Sequence, residues 1–523
     1  MHRLFLVAPT TAFGLALPLA AQSVSVGIPL QGEFHTVGIG ASDECGPSAL
    51  SIGAETGSIT FDGLGGFTWV SSQKSFCVGQ PDNNRTFFDV GTYTLDPSGK
   101  LTLDYDPANP GSDTYELFMT PDLELAIRAP QQSTIDGPST GLMCRKQTAA
   151  SQGDLEGDYG FVQIANSYAG AVFNCESAYG SLDIDAAGVA SFNLQVHYVD
   201  PFAFQNLPVS GTLGPVQVQA DGSLTIGGTT VGAISEGGEV GYYLSIDEGD
   251  QEVSLSLFVR KAESVVLADL DGTWSTSSYA AVPRDDEALS IQGPLTLDGT
   301  TGAFQHNLTD LSVTPTVQGQ VINTVTQTLF GNVTVAADGS FGLVYPNLAT
   351  FDGWVSADST VAIFADIGTS SLSNDLAEAG IALRHCASSV PFGVGSAGTG
   401  GVVPTLSTTG LAKTGNASYS LDVDAGVGGG LAFFAYSGTA LLDGFPLFGG
   451  TVYLDPSQYV LLGALPLGGA AGASGAGSAS FGIPIPANPT FVGAGLYAQA
   501  LIFDPGASES IATTQAVSLI LCE

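Results

Sequence analysis

Apolar and polar residues alternate along most of the chain in short runs separated by turn residues, and no stretch sustains helical periodicity. The clearest unit is Tyr93-Thr94-Leu95, a turn at Asp96-Pro97-Ser98-Gly99, then Lys100-Leu101-Thr102-Leu103. Val216-Gln217-Val218, Ala220-Asp221-Gly222, Leu224-Thr225-Ile226 repeats it at the same spacing, as does Val333-Thr334-Val335, Ala337-Asp338-Gly339, Phe341-Gly342-Leu343. Alternation with period two puts one face of each run inward, and Asp-Gly or Pro-Ser-Gly supplies the backbone freedom of a tight reversal. These segments therefore predict β-hairpins. A second hairpin precedes each of them, around Asp62-Gly63, Asp185 to Gly188 and Asp298 to Gly302. One segment, Asn374 to Glu378, reads as a single helical turn in a connection.

The hairpins belong to a larger repeat. Leu30-Gln31-Gly32-Glu33-Phe34, Leu155-Glu156-Gly157-Asp158-Tyr159 and Leu270-Asp271-Gly272-Thr273-Trp274 open three copies alike, as Leu-x-Gly-x-aromatic. The copies close on an apolar strand ending in Arg145-Lys146, Arg260-Lys261 and Arg384-His385. A chain with only 12 Lys+Arg spends a large share of them at these three places. The copies span residues 28–148, 152–263 and 267–388, each with about eight short strands, and the simplest closure of such a run is an up-and-down antiparallel barrel. Residues 389–401 turn Gly-rich and read as a linker. Residues 402–523 lose nearly all basic residues but keep the alternation, which predicts a C-terminal β-sandwich. The fold class is thus all-β: three tandem barrel-like units and a sandwich. The recurrence of Phe34 with Arg145, Tyr159 with Arg260 and Trp274 with Arg384 predicts that each Arg stacks on its aromatic and closes one barrel end, a contact worth about 0.5–2 kcal/mol.

Gly272-Thr273-Trp274 together with Arg384 resembles the lipocalin or calycin pattern, a Gly-x-Trp on the first strand and an Arg on the last that packs across the Trp; the first two copies carry Phe34 and Tyr159 instead of Trp. The copies are also similar to tandem Gly-Thr-Tyr-type β repeats of secreted bacterial proteins. The C-terminal region resembles an accessory domain of modular secreted proteins of marine bacteria, through Gly400-Gly401-Val402-Val403-Pro404-Thr405-Leu406, Phe448-Gly449-Gly450-Thr451-Val452-Tyr453, Ile483-Pro484-Ile485-Pro486-Ala487-Asn488-Pro489 and Gly493-Ala494-Gly495-Leu496-Tyr497-Ala498-Gln499-Ala500. The resemblance implies an extracellular accessory domain and brings no established catalytic role that could be carried over.

Composition narrows the function. Of 523 residues, 12 are Lys or Arg and 50 are Asp or Glu, a formal net charge of -38 that argues against nucleic acid as a partner, because phosphate recognition needs a cationic surface. Residues 1–21 read as a signal peptide, with a basic start at Met1-His2-Arg3, an apolar stretch and Ala20-Ala21 before the cut. No later segment reads as a membrane span. Export makes disulfides possible, and topology favours Cys45 with Cys77, Cys386 with Cys522 and, by elimination, Cys144 with Cys175.

Catalytic and metal signatures are absent from the sequence, and neither a catalytic residue nor a cofactor is assigned. Calcium is possible at Asp183/Asp185, Asp269/Asp271 or Asp422/Asp424, where the simpler reading is a turn. His35 and His385 take structural places beside the opening and closing motifs, and His197 and His306 face solvent or loops. Trp69 and Trp354 either pack in cores or line a ligand surface. The expected function is an exported structural or adhesive protein without catalytic activity, at the cell surface or beyond it, meeting envelope components, glycans or other surface proteins. The alternatives are a small-molecule or glycan binder using barrel interiors and a glycosidase-like hydrolase, which requires two carboxylates across a cleft.

Overall fold

A computed structural model describes residues 30–521 apart from 43–50, 78–82, 96–98, 106–113, 121–122, 129–137, 170–171, 250, 286, 317–318, 347, 367–375, 385–389, 411, 448, 489–490 and 492–494. The signal segment, Cys45, His385, Cys386 and Cys522 lie outside the described residues. The molecule is all-β, and no helix among the described residues is long and apolar enough to cross a membrane.

The first and third copies are closed barrels of eight strands in sequence order. In the first, strand one (Gln31–Ser42) pairs with strand two (Ser51–Asp62) and with strand eight (Ser139–Arg145). In the third, Gly272–Val282 pairs with Glu287–Leu297 and with Ala377–Arg384. The second copy departs from the expected eight strands. It forms a nine-stranded sheet that begins at Phe204–Leu213 and ends at Val216–Val218. These two are halves of what is a single fourth strand in the other copies, Asn83–Leu95 and Gly319–Val335. The break falls at Gly214-Pro215, where Gly214 has φ +133° and Pro215 has no N–H to offer a ladder.

Two short turns that the sequence pattern does not reveal open the second and third copies, a helical turn at Gln152–Leu155 and a 3-10 turn at Leu267–Leu270. They carry Leu155 and Leu270 of the opening motif into the barrel ends. The helical turn expected at Asn374 to Glu378 is not there in its described part: Ala377 and Glu378 begin the last strand of the third barrel. All eight residues of that strand are buried, so its outer face has lost the polar alternation that marks a half-exposed strand.

Each copy has its own interior core, centred on Phe34, Phe61 and Leu101 in the first, Tyr159 and Phe258 in the second, and Trp274, Phe341 and Phe351 in the third. A larger cluster joins all three copies through their outer faces, including Val37, Ile39 and Leu142 with Val162, Ile164 and Leu255 and with Ile363, Ala379 and Ile381. The copies are therefore packed on one another around a shared apolar core. Connections repeat as well. The segment after the first barrel donates Gln147 N–H and Ala150 N–H to the carbonyls of Asp221 and Ala220 in the next copy's Asp-Gly turn, and Val265 N–H donates to Ala337 O in the equivalent turn of the third, each at 3.0 Å.

The C-terminal region is a sandwich. One sheet holds Val390–Phe392, Ala516–Ile520, Gly495–Phe503, Leu431–Ser437 and Val460–Pro466, and the other holds Thr405–Thr409, Ser420–Gly426 and Gly477–Gly482. Tyr419, Leu421, Phe434, Ala500 and Ile502 fill the space between them. The Gly-rich segment is not a loose tether: Val390–Phe392 is a strand of this sheet, and Ser396 N–H donates to Thr513 O at 2.8 Å. Lys413 Nζ reaches Asp271 at 2.5 Å and joins the sandwich to the third barrel.

Candidate functional site: two hollow barrels

Strand register places each closing Arg directly opposite its opening aromatic: Phe34 with Arg145, Tyr159 with Arg260 and Trp274 with Arg384. The guanidinium lies 4.6 Å, 5.0 Å and 5.7 Å from the ring centre respectively. Each Arg also collects main-chain carbonyls of the opening segment: Gln31 O for Arg145, Asp154 O and Glu156 O for Arg260, and Asp269 O and Asp271 O for Arg384. The Arg thus plugs the corresponding end of each of the two closed barrels and of the second copy's sheet. The second basic residue of the closing pair lies outside this plug: Lys146 Nζ pairs with Glu33 Oε1 of its own copy at 2.5 Å, and Lys261 Nζ lies over the Trp354 ring of the third copy at 4.8 Å.

Above the Arg384 plug the third barrel is hollow, with a cavity of about 260 Å³. Period-two alternation turns Trp274, Thr276 and Ser278 of the first strand inward, with His306, Leu308 and Asp310 of the third and Glu378 and Ala382 of the last. The cavity is graded. Leu270, Trp274, Leu295, Phe341 and Phe351 line the end near the plug, and Ser278, Asp310, Gln327 and Glu378 collect at the other.

His306 was expected at the surface or in a loop but is 4% exposed, and His197 is 1% exposed. The reasons differ: the inward face of Ala303–Thr316 turns His306 into the barrel, whereas His197 lies on the outward face of Ala190–Val199 with Val199, a face covered by the packing of the copies on one another. Thr276 donates its hydroxyl proton to Gly293 O at 2.9 Å, so His306 Nε2–H donates to Thr276 Oγ1 at 2.8 Å and Nδ1 accepts from Tyr345 OH at 2.8 Å. Burial holds this imidazole neutral, its pKa lowered to about 4. Burial raises Glu378 to about 8, against the donor Ser278 Oγ at 2.5 Å and with Asp366 and Asp310 adding to the rise. Asp310 is raised by burial too; Gln327 donates to its Oδ2 at 3.0 Å, while Oδ1 is buried without a hydrogen-bond partner among the described residues. Among the described residues no Lys or Arg lines the cavity.

The first barrel holds a cavity of the same volume, about 260 Å³, with a different lining. Gly38, Gly40, Gly53, Ser71 and Ser75 leave the space, and Trp69, Tyr105, Tyr115, Glu55, Asp89 and Arg128 furnish its walls. Trp69, Tyr105 and Tyr115 contact one another with ring centres 5.1 to 6.2 Å apart. Arg128 lies 4.5 Å from the Tyr115 ring centre and 3.3 Å from Glu55 Oε2. Trp354 takes a different place from Trp69. It stacks on Tyr179 at 5.8 Å, lies against Gly160 where any Cβ would collide with it, and carries Lys261 over its ring at 4.8 Å, so it packs the second copy on the third.

The remaining candidates lie apart from both cavities. His35 sits between the first two copies, its Nε2 3.1 Å from Asp221 O. Cys144 and Cys175 do not form the expected bridge: both are buried thiols, and Cys175 Sγ faces Ala281 O of the third copy at 3.3 Å, with burial pushing its pKa up. Cys77 ends a strand of the first barrel. The Asp-x-Asp pairs are engaged locally. Asp185 caps the N–H groups of Ala187 and Val189, Asp269 that of Val266, Asp271 meets Gly299 N–H and Lys413, and Asp422 meets Ser420. Among the described residues no group of three or more His, Cys, Asp or Glu is placed to hold a metal ion.

No family model matches the chain, and no curated protein matches it. Similar solved structures include a protein of unknown function of the DUF3598 family from Nostoc punctiforme, 12% identical, covering 45% of this chain and 99% of that one, with a TM-score of 0.15. Another is a putative AttH from Nitrosomonas europaea, 9% identical, covering 73% of this chain and 99% of that one, also with a TM-score of 0.15. The class is defined by the strand order itself, an all-β protein of two closed antiparallel barrels, a nine-stranded sheet between them and a sandwich, with both closed barrels hollow.

Proposed function

We propose that the protein is an exported, non-catalytic binding protein whose third barrel takes an amphipathic small molecule. The observation that carries this reading is the graded cavity of about 260 Å³ in that barrel, apolar at the plug and acidic at the other end. Small-molecule sites are concave and mostly apolar, with a few convergent polar groups that orient the ligand. The hollow interior favours binding over the purely structural or adhesive role that composition suggests. Asp310 and Glu378 with no lining cation disfavour a ligand with an anionic head, because its charge would be buried unpaired. The ligand is therefore an alcohol or an amine on an apolar body. Export is supported by the targeting character of Met1 to Ala21 and by Cys77, which is disulfide-bonded. The C-terminal sandwich and the acidic surface fit placement at or outside the cell surface beside envelope partners.

The test is displacement of the fluorescent apolar amine N-phenyl-1-naphthylamine. Dodecanol and dodecylamine displace it, and dodecanoate does not. Dodecylammonium binding tightens as pH rises through about 8, where Glu378 loses its proton and gains the charge that pairs with the ligand. Displacement by dodecanoate as strong as by dodecylamine contradicts this reading.

A further inference from the structure

The first barrel's cavity differs from the third in a way that points to its own ligand. Register aligns the two interiors strand by strand. Phe34 opposes Ile59 and Trp274 opposes Leu295; Ile59 then opposes Trp69, and Leu295 opposes His306. Tyr93 opposes Leu103, and Val333 opposes Leu343, which makes Tyr105 the counterpart of Tyr345. In the third barrel the Tyr345 hydroxyl is satisfied by His306. In the first, the counterpart of His306 is Trp69, whose indole N–H only donates. Trp69 Nε1 and Tyr105 OH consequently line the same cavity, both buried and both without a hydrogen-bond partner among the described residues. Buried donors of this kind cost about 1–3 kcal/mol each when unmet.

We propose that the first barrel binds a neutral polyhydroxylated ring, a mono- or disaccharide, with Trp69 Nε1 and Tyr105 OH donating to its oxygens. The aromatic wall of Trp69 and Tyr115 offers a flat apolar surface to a sugar's C–H face, and Glu55 and Asp89 accept from its hydroxyls. Charge sets the class. Arg128 stands against two carboxylates in the wall, Glu55 at 3.3 Å and Asp89, so the lining offers an anion no net positive charge, and Arg128 covers the Tyr115 ring face that a cation would take. The volume, about 260 Å³, suits a small ligand. This site is independent of the amphiphile proposed for the third barrel.

The experiment is saturation-transfer NMR and tryptophan fluorescence on the full chain with cellobiose and maltose, and with glucuronate and glucosamine as charged controls. A neutral disaccharide binds, and both charged sugars bind at least tenfold more weakly. Tyr105→Phe removes one donor without disturbing any described bond and weakens binding about tenfold, as does Trp69→Phe, which keeps an aromatic ring. Ala382→Leu, which narrows the third barrel, leaves disaccharide binding unchanged. Three outcomes overturn the proposal: no neutral sugar binding at millimolar concentration, a charged sugar binding more tightly, or Tyr105→Phe binding as well as the parent. None of these bears on the displacement assay for the third barrel, so the two readings fail separately.

Discussion

The first and third barrels share strand order, register and cavity volume, yet one interior is polar and the other mostly apolar. The change is made at a few inward positions. Register sets Glu55 where the third barrel has Ile291, Asp89 where it has Leu329, and Arg128 where it has Phe364; in the opposite sense Ser139 stands where it has Glu378. The backbone of an up-and-down barrel thus fixes a volume and a closed end, and the alternate residues facing inward decide what the volume accepts. The second copy shows the limit of that freedom: its strand ladder is broken at Gly214-Pro215, and Leu194, Leu224 and Phe258 pack in its interior.

The plug gives the largest expected contrast. Arg384 is 4% exposed and bonds to main-chain carbonyls, while the Arg145 side chain is 25% exposed and paired with Glu124. Arg384→Ala leaves buried carbonyls and a gap beneath Trp274 and costs about 3–5 kcal/mol by analogy with breaking one side of a buried charged contact. Arg145→Ala costs about 1–3 kcal/mol. Chemical denaturation of the two variants measures the difference; equal losses would mean that the two closed ends are energetically alike.

Filling comes next. Ala382→Phe places a ring in the apolar end of the third cavity, lowers naphthylamine affinity more than tenfold and costs no more than about 1–3 kcal/mol of overpacking. Unchanged probe affinity would place the bound probe elsewhere.

A smaller effect follows from acidity. The value of about 8 for Glu378 lies above the ordinary 4.5, so the folded state favours the protonated acid. Its contribution to stability is fully present below pH 4.5 and is lost as pH rises through about 8. Glu378→Gln keeps an acceptor for Ser278, cannot ionise, and flattens the fall of Tm between pH 4.5 and about 8. A slope identical to that of the parent would locate the acid sensitivity at other groups, among them Glu176, which burial and Glu252 raise to about 7. The smallest effect belongs to the first barrel: without ligand, Tyr105→Phe raises stability by up to about 1 kcal/mol, because a buried hydroxyl without a partner is removed. Thermal denaturation checks it, and a loss of stability would reveal a partner for that hydroxyl.

The fold was legible in the sequence where one strand face meets water. Hairpins such as Tyr93 to Leu103 advertise themselves by alternation and turn chemistry, and the repeated Leu-x-Gly-x-aromatic sets the copy register. Legibility ends where both faces are buried. Ala377–Arg384 packs inward on the cavity and outward on the shared core, so it shows no alternation, and a helical turn was read at its start. The burial of the two histidines was hidden for a related reason: parity says which residues share a face, while the inward turn of His306 depends on closure partners far along the chain, and the cover over the outward His197 depends on the packing of whole copies. The hollow interiors were beyond reach because a cavity is a sum over eight strands. Gly38, Gly53 and Ser71 look like weak strand residues one by one, and only together do they leave space. The strand break carried a local signal, Gly214-Pro215 inside an otherwise alternating run.

The most direct test of two separate cavities of opposite character is native mass spectrometry of the full chain with dodecylamine and cellobiose present together. The account predicts a ternary species carrying one mass of each, from which Tyr105→Phe loses the sugar and Ala382→Phe loses the amine. A protein that carries one ligand or the other but never both, or that loses both to a single substitution, would contradict it.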